Sequence, residues 1–217
     1  MSTYRGYAPP AAQSVSDSRA VFGQVMGLVA VTVAFTGAGA YLGRNATSGT
    51  GIICMIAALG CVFGLNFAAR KSHQLAVGLL FAVGLLLGIG VGGILNYYAQ
   101  ADPGALWQAA GSTAVFVGGL GAYGYATRRD LSSWARTLFW AILALLAFGL
   151  ITLFVSIPGG NIIYSLLGLG VFGAFTIFDF NRLRRSSMDD SVLIAAGIFL
   201  DIFNVFLFML ELFGGRR

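Results

Sequence analysis

Seven apolar runs, each about as long as a bilayer crossing, leave this chain few possible folds. They cover residues 21–42, 51–69, 74–98, 107–126, 137–156, 162–181 and 191–213. A bilayer core needs about 20 apolar residues in a helix. In lipid, backbone polar groups must bond within their own segment, so the runs predict α-helices. The expected class is an all-α integral membrane protein, a bundle of seven transmembrane helices. The breaks between runs are short and polar: Gly43–Thr50, Arg70–His73, Ala99–Leu106, Thr127–Arg136, Ser156–Asn161 and Asn181–Asp190. Such links leave no room for a separate domain and force neighbouring helices to run antiparallel.

Composition agrees. Hydrophobic residues make up 58% of the 217 and charged residues only 10%, against about a quarter charged in a soluble domain. Residues 1–20 are polar, carry Pro9-Pro10 and read as a short disordered cytoplasmic tail before a transmembrane domain over 21–214. The first run is too long for a signal-peptide core and is expected to remain as the first span. The net charge of +5 does not point to nucleic acid, because the basic residues sit in the short breaks. With a cytoplasmic N-terminus, ten of the thirteen Lys and Arg fall on the inside, among them Arg19, Arg70, Lys71, Arg128, Arg129, Arg136, Arg182, Arg184 and Arg185. The positive-inside rule therefore predicts an N-in protein of the cell membrane. The terminal Arg216-Arg217 is discordant, and a re-entrant last segment would bring it back inside.

Of the 31 glycines, Gly84, Gly88 and Gly92 repeat at the small-xxx-small spacing that lets membrane helices approach closely. Gly88-Ile-Gly90-Val-Gly-Gly93 also matches GxGxxG. A dinucleotide site needs a strand before that motif, and here it lies inside an apolar run, so helix packing is the expected use. Cys54 and Cys61 stand about 10 Å apart along one helix, too far for a disulfide, and read as two buried thiols. Asn45-Ala-Thr47 is a weak glycosylation match. Pro158-Gly-Gly160 marks a tight turn.

Most acids need no special account. Asp17, Asp102, Asp130, Asp189 and Asp190 lie in the tail or the breaks. Asp130 is expected to cap the fifth helix, and Asp189 and Asp190 the seventh, by accepting from free N–H groups. Glu211 is near a helix end and can snorkel. Asp179 and Asp201 are different. Asp201 is roughly 15 Å inside the last span, and Asp179 is within two turns of the end of the sixth. A carboxylate at the bilayer centre costs about 2.5–3.5 kcal/mol on insertion scales, so it must be protonated, paired or facing a cavity. The two helices are joined by a short break, which makes the acids plausible neighbours. Two carboxyls in one low-dielectric site cannot both ionise cheaply and can hold one proton between them. Removing that proton leaves hard oxygens suited to calcium. The plainer alternative is that each Asp hydrogen-bonds to a Ser, Thr or Asn on a neighbouring helix. Arg70 could swing in to pair with Asp179 or could anchor the inside surface with Lys71. His73, the lone histidine, lies in the same break and reads as solvated. No His and Cys cluster suggests zinc.

Three stretches carry a resemblance. One is Phe175-Thr-Ile-Phe-Asp179-Phe-Asn-Arg-Leu. Another is Ile198-Phe-Leu-Asp201-Ile-Phe-Asn204-Val-Phe-Leu-Phe-Met-Leu-Glu-Leu-Phe-Gly214. The third runs from Ser112-Thr-Ala-Val-Phe through Tyr123-Gly-Tyr-Ala-Thr-Arg-Arg129-Asp130-Leu. Together with the seven runs they resemble the Bax inhibitor-1 (TMBIM) family over about residues 20–214, in the manner of a bacterial member. The resemblance implies six helices around a central seventh and a pH-sensitive calcium leak across the membrane. It implies that Asp179 and Asp201 match the family's hydrogen-bonded, pH-sensing aspartate pair, and that Arg70 is the nearest candidate for the second-helix arginine that contacts the pair. The family's usual second-helix acid has no counterpart between Gly51 and Ala69, and Asp179 is followed by Phe-Asn where the family has a residue and Gln.

The leading expectation is a calcium leak channel with no enzymatic activity, resident cofactor or nucleic-acid partner. Its ligands would be calcium and protons at Asp179 and Asp201. Two alternatives stand beside it. One is a proton-coupled transporter of another solute. The other is a non-transporting protein that binds a partner through Arg182, Arg184 and Arg185.

Overall fold

Inside-out burial is the clearest mark of what this chain folds in. In a computed structural model describing residues 10–215, large apolar side chains cover the outside: Trp107 is 79% exposed and Phe154 87%. The interior holds polar groups, including Thr32, Thr113, Thr176, Asp179, Asn181, Ser191 and Asp201. Water would not tolerate that outer surface, whereas lipid does.

The described residues are all helix and connecting turn, with no strand. The helices are α1 (Pro10–Leu42), α2 (Ser48–Lys71), α3 (His73–Ala101), α4 (Pro103–Ala126), α5 (Trp134–Phe154), α6 (Gly160–Leu183) and α7 (Ser191–Gly214). Short 3-10 turns precede α2 and α7. All seven expected runs are therefore helices. α1 begins at Pro10, ahead of the run at 21, and residues 1–9 of the expected tail lie outside the described residues. Six helices are long and apolar enough to cross a membrane. The remaining helix, α4, falls short in hydropathy, because Gln108, Trp107 and its glycines dilute the apolar residues.

Local chemistry sets the boundaries. Thr47, half of the glycosylation match, caps α2 instead: its Oγ1 accepts from the Thr50 N–H at 3.3 Å. Ser72 caps α3. Asp102 caps α4 through the Ala105 N–H, with Pro103 following at the position where a missing N–H does no harm. Gly159 adopts φ +68°, a left-handed conformation open to glycine, where the Pro158 turn enters α6. Two expected caps are not made. Asp130 accepts from the Ser132 N–H and hydroxyl at 2.8 and 2.6 Å, which closes a turn ahead of the helix, and α5 starts only at Trp134. Asp190 stands at the start of α7 without a capping hydrogen bond, because its own backbone is already helical (φ −88°, ψ −5°). Asp189 sits one residue earlier, in the 3-10 turn.

Glycine-mediated contact sets the register of α1 and α3. Gly84, Gly88 and Gly92 lie directly against Thr32, Thr36 and Ala40 of α1, so close that a methyl group would overlap that backbone. The pairs advance together, so the two helices are parallel. The GxGxxG match is thus a packing surface inside α3. Cys54 and Cys61 are free but only half-buried. α7 packs against α1, α2, α3, α4 and α6, while α5 rests mainly on α6. Half of the most apolar stretch of α7 is buried, against 11% for that of α5. α7 is an unbroken helix of 24 residues, about 36 Å long.

Candidate functional site

The site lies on the seam between α6 and α7, which run antiparallel. Phe208 of α7 seats its ring against Gly168 of α6, and nearer the Arg-rich end Asp179 of α6 sets its carboxylate against Gly197 of α7. At the opposite end, Asn161 Nδ2 donates to Glu211 Oε1 at 3.2 Å. Glu211 is therefore hydrogen-bonded near its helix end.

Gly197 lies one turn before Asp201 on α7. Asp179 is 7% exposed and Asp201 3%, and the two carboxylates interact electrostatically. The Oδ2 atom of Asp201 is buried without a hydrogen-bond partner among the described residues. Three polar side chains on α4, α6 and α7 are committed to their own helices. Thr176 donates to the Phe172 carbonyl at 2.8 Å, Asn204 to the Leu200 carbonyl at 2.7 Å, and Thr113 to the Ala109 carbonyl at 2.7 Å. Among the described residues, these three side chains do not supply the neighbouring partner that the plainer expectation asks for.

Arg70 is exposed at the end of α2, and among the described residues no ion pair joins it to either aspartate. The cation acting on Asp179 is Arg182, three residues along the same helix. Its i, i+3 spacing places it on the Asp179 side of the helix. His73 starts α3 near the amide of Gln24 (3.5 Å), and that amide donates to the Ser191 hydroxyl at 3.1 Å. Gln24 thus ties α1 to the start of α7. Among the described residues no group of three or more His, Cys, Asp or Glu could hold a metal ion.

A second polar cluster went unread in the sequence. Asn181 is 1% exposed. Its amide nitrogen lies 3.3, 3.3 and 3.1 Å from the carbonyls of Gly124, Thr127 and Arg129. Its Oδ1 accepts from the Leu131 N–H at 3.4 Å and from Arg185 at 2.6 Å. Arg184 donates to the Thr127 carbonyl at 2.7 Å. Arg185 also pairs with Asp130 at 2.5 Å. Hydrogen bonds from Ser132, then the guanidinium, hold the Asp130 carboxyl well below the usual carboxylate range. The cluster latches the α4–α5 loop to the end of α6, next to Asp179. It engages Arg184 and Arg185 within the chain, with the Arg185–Asp130 pair at the exposed rim.

An apolar outer surface around a bundle with two interior carboxylates defines a multi-span membrane protein. The chain belongs to the Bax inhibitor family: the family model described as "Inhibitor of apoptosis-promoting Bax1" matches residues 18–217. Protein lifeguard 4 of Mus musculus is 31% identical over 74% of this chain and 66% of its own length. A Vibrio cholerae protein described as an uncharacterised membrane protein is 28% identical over 75% of this chain and 74% of its own. A Helicobacter pylori protein is 29% identical over 75% and 70%.

Proposed function

We propose that this chain is a pH-sensitive calcium leak channel of the cell membrane, with its N-terminus in the cytoplasm and gating set by Asp179 and Asp201. The observation that carries this reading is the Asp201 Oδ2 atom, buried without a partner beside a second carboxylate. An acid in that position persists in lipid only if its charge is neutralised or needed. Two carboxylates fall well short of the six to eight oxygens calcium prefers, so they suit a passing ion and not a resident one. A proton and a calcium ion compete for the same oxygens. Protonation removes the attraction and changes what the pair can bond to, and this biases the packing of α6 on α7.

All seven helices cross the membrane in this reading, with α7 as the axial one. The parallel run of α4 beside α6 supports it: Gly124 meets Ile177, and Leu120 meets Gly173, so the two helices share one slab. Contact of α7 with five other helices supports its axial place. The Arg-rich end is the cytoplasmic one by the positive-inside rule.

Purified protein in liposomes loaded with a calcium-sensitive dye tests the proposal. Calcium should cross down its own gradient, without an opposing proton gradient, at a rate that changes between pH 6 and 8. Flux that requires a proton gradient would instead indicate a coupled transporter.

A further inference from the structure

The geometry points to a binding site for one anionic phospholipid in a cleft between α1 and α4, with its phosphate at Arg19. The cleft has a volume of about 1230 Å³. Its sides are Phe22, Met26 and Gly37 of α1 and Val117, Gly118 and Tyr125 of α4, and Phe199 and Ile202 of α7 form part of its back wall. α1 and α4 are not packed together along their length. They meet where Phe22 and Tyr125 touch edge-on, with ring centroids 5.2 Å apart. The cleft is a lateral opening toward lipid.

Its threonine hydroxyls are already committed. Thr36 donates to the Thr32 carbonyl at 3.0 Å and Thr113 to the Ala109 carbonyl at 2.7 Å. Water held in a cavity needs two to four polar partners, and the middle of these walls is mostly apolar. An acyl chain needs none. From Arg19 to Ala40 the cleft follows α1 for about 31 Å, close to the thickness of the hydrocarbon core. Among the described residues, Arg19 is the only charged one lining it. It stands at one end, without an ion pair among the described residues, and Tyr125 lies at the same end. Charge therefore selects the head group and the leaflet: a phosphate-bearing anionic lipid whose chain runs inward past Phe22 and Met26.

The site has a consequence for the acids. Phe180, adjacent to Asp179, and Ile202, adjacent to Asp201, both line the cleft. An occupant supports the packing of α4, α6 and α7 around the pair. This inference does not depend on which ion the chain passes, so it and the calcium reading can fail separately.

Native mass spectrometry of the purified full chain tests it, after exchange into equal phosphatidylglycerol and phosphatidylcholine. Wild type should retain one lipid and prefer phosphatidylglycerol by about fivefold, the contribution of one cation near an anionic head group. Arg19→Gln should keep the lipid and lose the preference. A Cβ at Gly37 or Gly118 meets nothing within 4 Å, so the side chains of Gly37→Phe and Gly118→Phe start into open space and occupy the cleft. Both should lose the lipid, with helical content by circular dichroism unchanged. Wild type without bound lipid overturns the site, as does retention in both filled variants or an unchanged preference in Arg19→Gln. Dimer in place of bound lipid assigns the cleft to a second copy and also overturns it.

Discussion

The carboxylate of Asp179 rests on the bare backbone of Gly197, one helical turn from Asp201. A side chain at 197 would take the space the acid occupies, so the glycine is what admits a second carboxylate to the seam. Gly197→Ala should displace Asp179 and destabilise the protein by about 1–3 kcal/mol, the usual range for overpacking a tight contact. Adding Asp179→Ala should relieve part of that loss. Thermal unfolding in detergent of the two single variants and the double variant measures the coupling, expected at about 0.5–3 kcal/mol. Additive effects would place the two residues apart.

Asn181 holds the α4–α5 loop through buried bonds to three carbonyls and one N–H. Asn181→Leu removes the partner of the Gly124 and Arg129 carbonyls and of the Leu131 N–H, while the Thr127 carbonyl keeps Arg184, and a buried group left unsatisfied costs about 1–3 kcal/mol. The variant should melt earlier than wild type. Residues 127–133 should lose protection in hydrogen exchange before the helices do.

Asp130 is held below its ordinary range by Ser132 and Arg185. A carboxylate depressed in the folded state contributes stability that is present above its unfolded value of about 3.9 and is lost as pH falls through the folded value. That window lies far below neutrality. Asp130→Asn should therefore weaken the loop latch in hydrogen exchange yet leave the pH dependence of flux between pH 6 and 8 unchanged. A flattened flux profile in this variant would move the sensor to the loop.

Arg182 acts on Asp179 whereas Arg70 pairs with neither acid among the described residues. Arg182→Gln should move the midpoint of pH-dependent flux, because an i, i+3 neighbour shares the Asp179 side of the helix. Arg70→Gln should leave it in place. The reverse result would give the pairing role to Arg70.

Much of this architecture is legible in the sequence, for a physical reason. Lipid admits only long apolar helices, so the runs mark their own boundaries. Asp179 and Asp201 stand out because, apart from Glu211 near a helix end, nothing else in those runs carries charge. Arg182 was equally readable from its spacing to Asp179, but its place among the inside arginines hid it. Asn181 gave little sign, since a single amide after an apolar run looks like the start of a loop. The caps at Asp130 and Asp190 depend on where each helix turns, which residue type alone does not fix. The α1–α4 cleft arises from two helices that fail to pack, a relation between distant segments that no local pattern encodes.

The most direct test of the central claim compares calcium flux in liposomes across pH 6 to 8 for wild type, Asp179→Asn and Asp201→Asn. All three should be checked for equal insertion. The account predicts a pH-dependent rate in wild type and a flattened profile in both variants. An identical profile in all three would remove the carboxylate pair from the mechanism.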